Sequence, residues 1–129
     1  MCPAIDERNV GAMATADDVR RIALSLPETE EHPSYGGRPS FRVRKKGFAA
    51  LQPDGATLIL HVASLDEKEV LLASDSNKFH TTSHYDGYPM VLVRNAAIDT
   101  DELRELLTDA WRLKAPKRLL AAFEQQQSR

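Results

Sequence analysis

Residues 38–51, Arg-Pro-Ser-Phe-Arg-Val-Arg-Lys-Lys-Gly-Phe-Ala-Ala-Leu, carry an apolar alternation straight into a knot of positive charge. Side chains alternate across a strand, so Phe41 and Val43 share one face while Arg42 and Arg44 share the other. The segment is predicted to fold as a β-hairpin, with Gly47 supplying the positive φ of a tight reversal. Loop length decides where Phe48 goes. A loop of two or four residues puts it with Phe41 and Val43, and a three-residue loop puts it with the arginines. The even loop is favoured because phenylalanine is more often buried than displayed on a wing. A compact α+β domain with one cationic edge follows.

The flanking sequence supplies helices and further strands. Thr15 with Asp18 opens a helix whose Val19, Ile22, Ala23 and Leu26 recur at the spacing of one face, and Pro27 ends it. Residues 28–37 are extended or irregular, an edge strand at most, because Pro33 lies inside and Tyr35-Gly36-Gly37 reads as a turn. Pro53-Asp54-Gly55 turns the chain into a strand over Thr57–Val62, with Leu58, Leu60 and Val62 on one side. Ser64 and Glu67 start a helix that runs to about Ser74. Phe79–Thr82 and Met90–Arg94 are strands joined by the turn-rich His84–Pro89 connection. Asp99 with Glu102 caps a long helix to about Ala115, and Leu119, Leu120 and Phe123 mark a last short one after Pro116. Residues 1–14 read as an extension, 15–124 as a single domain and 125–129 as a polar tail.

Charge bounds the function. The 129 residues hold 17 Lys+Arg against 19 Asp+Glu, a formal charge of -2, so bulk attraction to nucleic acid or a membrane surface is excluded and any phosphate affinity is local. The charge is sorted along the chain: Arg38, Arg42, Arg44, Lys45 and Lys46 occupy 38–46 without an acid, while Glu28, Glu30 and Glu31 lie just upstream. A second cationic set, Arg112, Lys114, Lys117 and Arg118, falls where positive residues also suit a helix C-terminus. One cysteine, Cys2, allows no internal disulfide and lacks neighbours that would activate a thiol. The absence of an apolar leader or long apolar span gives a cytoplasmic expectation with no membrane partner.

Catalytic and metal signatures are missing. His80, His84 and Asp86 are clustered, but positions i and i+4 of a strand lie roughly 13 Å apart, too far to share one ion. His32 and His61 read as hydrogen-bonded structural histidines. No strained serine elbow, phosphate loop or dinucleotide fingerprint is present. The expectation is a non-enzymatic protein with no cofactor and no metal.

Several short patterns together resemble the MmcQ/YjbR family of small bacterial proteins. They are Leu24-Ser25-Leu26-Pro27 with Glu30-Glu31, Pro39-Ser40-Phe41-Arg42-Val43, Lys46-Gly47-Phe48-Ala49, and the loop and strand from Tyr85 to Val93, within a span from Ala16 to Phe123. The resemblance implies a two-layer α+β sandwich, an antiparallel sheet of about five strands with helices on one face, in the order α-β3-α-β2-α. That outline is similar to secretion-chaperone-like and frataxin-like domains. It also implies DNA binding through a double wing, here the Arg42–Phe48 hairpin and a neighbouring loop. On that reading Arg38, Arg42, Arg44, Lys45 and Lys46 meet phosphates, Tyr85 and Tyr88 add hydrogen bonds or stacking, and Lys117 and Arg118 join them. The expected state is a monomer or weak homodimer. The alternatives are a protein-interaction module and, third, a small-ligand-binding domain with its pocket at the His84–Tyr88 loop.

Overall fold

The structure, a computed structural model, describes residues 13–33 and 38–127, so Cys2 and the Tyr35-Gly36-Gly37 turn lie outside the described residues. Helix α1 (Ala16–Ser25) begins at a reciprocal capping box: Asp18 N donates to Thr15 Oγ1 at 3.2 Å and Thr15 N donates to Asp18 Oδ2 at 3.0 Å. Its Val19, Ile22 and Ala23 are buried, as their spacing predicts.

Strands β1 (Thr29–Pro33), β2 (Pro39–Val43), β3 (Lys46–Leu51), β4 (Thr57–His61), β5 (Phe79–His80) and β6 (Met90–Arg94) form an antiparallel sheet in the order β1-β2-β3-β4-β6-β5. Among the described residues the sheet thus has six strands rather than about five. The addition is β1, the segment expected to be irregular or an edge. It is an edge, blunted by Glu30, Glu31 and Pro33. At the other margin β5 is two residues long, shorter than the expected Phe79–Thr82.

The β2–β3 hairpin has the expected even loop, but its conformation is a correction. The positive φ falls on Arg44 (51°) and Lys45 (72°), not on Gly47, so a two-residue reversal of primed type is made without glycine. Left-handed backbone strains a side chain with a Cβ. Lys45→Gly is therefore expected to stabilise the fold by about 1 kcal/mol, read as a higher urea midpoint at unchanged slope.

Phe41 pairs with Ala49 and Arg42 with Gly47, which leaves Phe48 as the extra residue of a bulge. Strict alternation would put Phe48 and Leu51 on opposite faces. The bulge resets the parity between them, and both lie in the main core, Phe48 fully buried.

That core lies on one face of the sheet, where Phe41, Val43, Leu58, Leu60, Val91 and Val93 meet α1 and α3 (Thr100–Lys114). Leu71 and Leu72 of α2 (Leu65–Ser74) and Leu119, Leu120 and Phe123 of α4 (Lys117–Gln127) pack against the same core. The helices therefore share one layer. On the other face Ala50, Ile59 and Leu92 lie side by side in register and are covered by Tyr85, so the run Leu58-Ile59-Leu60 is buried on both sides.

Both domain margins differ from the sequence reading. Ala14 is buried and its N–H donates to Ile98 O at 2.9 Å, while Met13 bridges to Asp99, so residues 13 and 14 belong to the domain rather than to an extension. At the far end α4 carries the chain helically through Gln125 and Gln126 to Gln127, into the expected tail.

Candidate nucleic-acid interface

Sheet register and helix direction bring most of the cationic residues to one end. The β2–β3 turn opens there, and so do His61 at the end of β4 and Met90 at the start of β6, which pair with each other. Helix α3 runs toward the same end. Trp111 Nε1 donates to Pro27 O at 3.0 Å, and Glu28, the next residue, forms an ion pair with Arg44 of the turn. Lys114, one turn further on, is close enough to act on the His61 imidazole. Pro116 then starts α4 with Lys117 and Arg118.

The individual side chains fare differently. Arg44 is engaged by Glu28 through both nitrogens of its fork, the second contact at 3.2 Å, and this hydrogen bonding holds the Glu28 carboxyl below its usual range. Arg42 lies opposite Glu30 with a half-buried side chain, and its Nε has no hydrogen-bond partner among the described residues. Arg38 Nη1 donates to Tyr85 Oη at 3.5 Å, at the opposite end of β2 from the turn. Tyr85 is buried over Ile59 and Leu92, so its ring serves the fold and offers no face to a base. Tyr88, by contrast, is 56% exposed.

Exposed charge remains on Lys45 and Lys46 at the hairpin and on Lys117 and Arg118 at the start of α4, with half-buried Lys114 between. None of these five forms an ion pair with another described residue. The predicted wing and the predicted helix-end set thus lie at one end of the molecule, but the ammonium groups rather than the wing arginines carry its accessible charge. Arg112 is occupied elsewhere: it pairs with Glu124 at 3.0 Å and lies 5.6 Å over the Phe123 ring.

Loop 81–89 is fixed by a residue that the sequence does not single out. Lys68 of α2 is buried and its Nζ donates to Tyr85 O at 2.7 Å and to Tyr88 O at 3.0 Å. His84 lies edge-on to Tyr85, their rings 4.9 Å apart at 82°. His80 Nδ1 is buried without a partner among the described residues, and burial, with the Arg94 charge second, lowers its pKa. Among the described residues no group of three His, Cys, Asp or Glu could hold a metal ion, and no helix is long and apolar enough to cross a membrane. A cavity lies between α2, the end of β4 and α3, and no residue of the His84–Tyr88 loop lines it.

Comparison with known proteins gives a consistent picture. The family model YjbR matches residues 24–113. Uncharacterised proteins of Mycobacterium bovis and Mycobacterium tuberculosis are 39% identical to this chain, the alignments covering 86% of it and 96% of theirs. The crystal structure of a Deinococcus radiodurans protein with a domain designated DUF419 superposes with a TM-score of 0.66 at 23% identity, covering 78% of each chain. That likeness bears on the fold alone.

Proposed function

The chain belongs to the YjbR family, and from that premise we propose that it is a non-enzymatic DNA-binding protein whose hairpin and α3–α4 end meets duplex phosphates. One observation carries the reading. Lys45, Lys46, Lys114, Lys117 and Arg118 gather at one end without carboxylate partners among the described residues, in a chain that is acidic overall. Positive groups held on a two-residue turn and a helix start are suited to phosphate contact, which positions a protein on a duplex without reading its sequence. Tyr88, exposed at the same end, adds a hydroxyl or a stacking face. Charge is divided across this end: Asp66 and Glu67 open α2 beside β5 and β6, so the duplex approaches from the hairpin side.

The test is a salt titration of duplex DNA binding by fluorescence anisotropy. Replacing Lys45, Lys46, Lys117 and Arg118 together by alanine is expected to flatten the slope of log affinity against log salt by about 0.9 for each phosphate that is no longer neutralised. Arg20→Ala, which removes a cation paired with Glu31 at 2.8 Å, should leave the slope unchanged. Absence of salt-sensitive binding by the unaltered chain, or an unchanged slope in the fourfold variant, overturns the reading.

A further inference from the structure

A cavity of about 350 Å³ opens between α2, the end of β4 and α3. Its walls include the apolar side chains of Leu60, Leu71, Leu106 and Leu113, the last 44% exposed. Two carboxylates, Glu67 from the first turn of α2 and Asp109 from α3, line it, and neither forms an ion pair with a described residue. Arg112 also lines it, but that guanidinium is drawn to Glu124 and Phe123 on α4. His61 contributes an imidazole that burial, helped by Lys114, pulls down to about 4, so it is uncharged at neutral pH.

The net character is an apolar hollow rimmed by two exposed carboxylates that lack ion-pair partners among the described residues, with the Arg112 guanidinium held by Glu124 and the Lys114 charge near His61. Its volume is in the range of small-molecule sites and its concavity sets it apart from a flat protein-docking face. We propose that this cavity binds a small organic cation, with an ammonium group between Glu67 and Asp109 and an apolar body against Leu60, Leu71, Leu106 and Leu113. A carboxylate ligand of the same shape is disfavoured by like charge, and a neutral one loses the charge-assisted hydrogen bonds. Lys114 borders both regions, but Glu67, Asp109 and the four leucines take no part in the DNA reading, so failure of either proposal is distinguishable from failure of the other.

The probes are n-octylamine and octanoate, which share an apolar body and differ in head-group charge, titrated into the isotopically labelled full chain and followed by amide chemical shifts. Octylamine is expected to give saturable shifts confined to residues 60–71 and 106–113, with affinity at least roughly tenfold above that of octanoate. The double variant Glu67→Gln/Asp109→Asn, which alters carboxylates that support no described hydrogen bond, should erase that difference while leaving the remaining spectrum in place. Leu113→Trp, which fills the mouth, should abolish binding. Equal affinity for the two probes, shifts spread over other surfaces, or no saturable shift overturns the proposal.

Discussion

Replacing Trp111 with alanine is expected to remove about 3–5 kcal/mol of stability, a large share of the reserve of a domain this size. The indole is fully buried in the main core, packs against Phe123 with ring centroids 4.8 Å apart, and ties α3 to Pro27 O through its N–H. Truncation therefore leaves a cavity and at once reduces the Pro27 carbonyl to the longer 3.4 Å hydrogen bond from Thr29 Oγ1. The two losses separate by comparison. Trp111→Phe keeps most of the apolar packing but gives up the N–H, and should cost roughly 1–3 kcal/mol, the loss of one hydrogen bond plus a small cavity. Urea unfolding of both variants measures the difference. If alanine costs no more than phenylalanine, packing is not what Trp111 supplies.

The second large effect concerns Lys68. Its ammonium is buried and bonds two main-chain carbonyls of the loop that carries Tyr85 onto the second face of the sheet. Lys68→Met keeps much of the stem's packing and removes the ammonium donors, leaving the Tyr85 and Tyr88 carbonyls with one backbone donor each, from Tyr88 N and Met90 N. A loss of roughly 2–4 kcal/mol is expected, since hydrogen bonds from a charged donor are worth about 1.5–3 kcal/mol each and are partly shared here. Hydrogen exchange gives a local readout. Amides of residues 83–90 should exchange faster in the variant, and those of α1 should change only as far as global stability does. Uniform acceleration would mean that Lys68 supports the fold without holding the loop.

Helix starts are the most legible part of this chain, because a cap is a local device: Thr15, Ser64 and Asp99 each accept a backbone N–H three residues on, as their spacing predicts. Tertiary context alters the partners, and Glu102 reaches Lys78 at 2.9 Å. Hairpin parity is legible from Phe41, Val43 and Phe48, whereas the bulge is not, since nothing local to Phe48-Ala49 announces that Leu51 also needs the core. Gly47 attracts the turn assignment because glycine is the usual source of positive φ, yet the strand pairing places the reversal at Arg44 and Lys45. Strand β1 pairs through its backbone and exposes much of its polar sequence, so side-chain pattern carries little signal for it.

The cationic end is readable as a charge distribution but not as a geometry. Glu28 precedes the basic run by ten residues, yet only the hairpin and the Pro27 hydrogen bond set its carboxylate against Arg44. Lys68 is invisible for a similar reason: the carbonyls that bury it come 17 and 20 residues later in the chain. Apolar content in α2 comprises Leu65, Val70, Leu71 and Leu72, of which the first two are exposed and the last two pack against the core. The cavity between α2 and α3 depends on how two helices straddle the end of β4, which no single stretch encodes.

The glycine-free reversal at Arg44-Lys45 has a consequence for engineering. A library screened purely for heat resistance would be drawn to Asn-Gly at these two positions, the pair best matched to that backbone, and each winner would leave Lys46 as the turn's remaining cation and release Glu28. Thermal selection and retention of the cationic end therefore pull this dipeptide in opposite directions, and on the proposed DNA-binding reading a set of survivors that keeps Lys45 only when DNA capture is imposed alongside heating would expose the conflict.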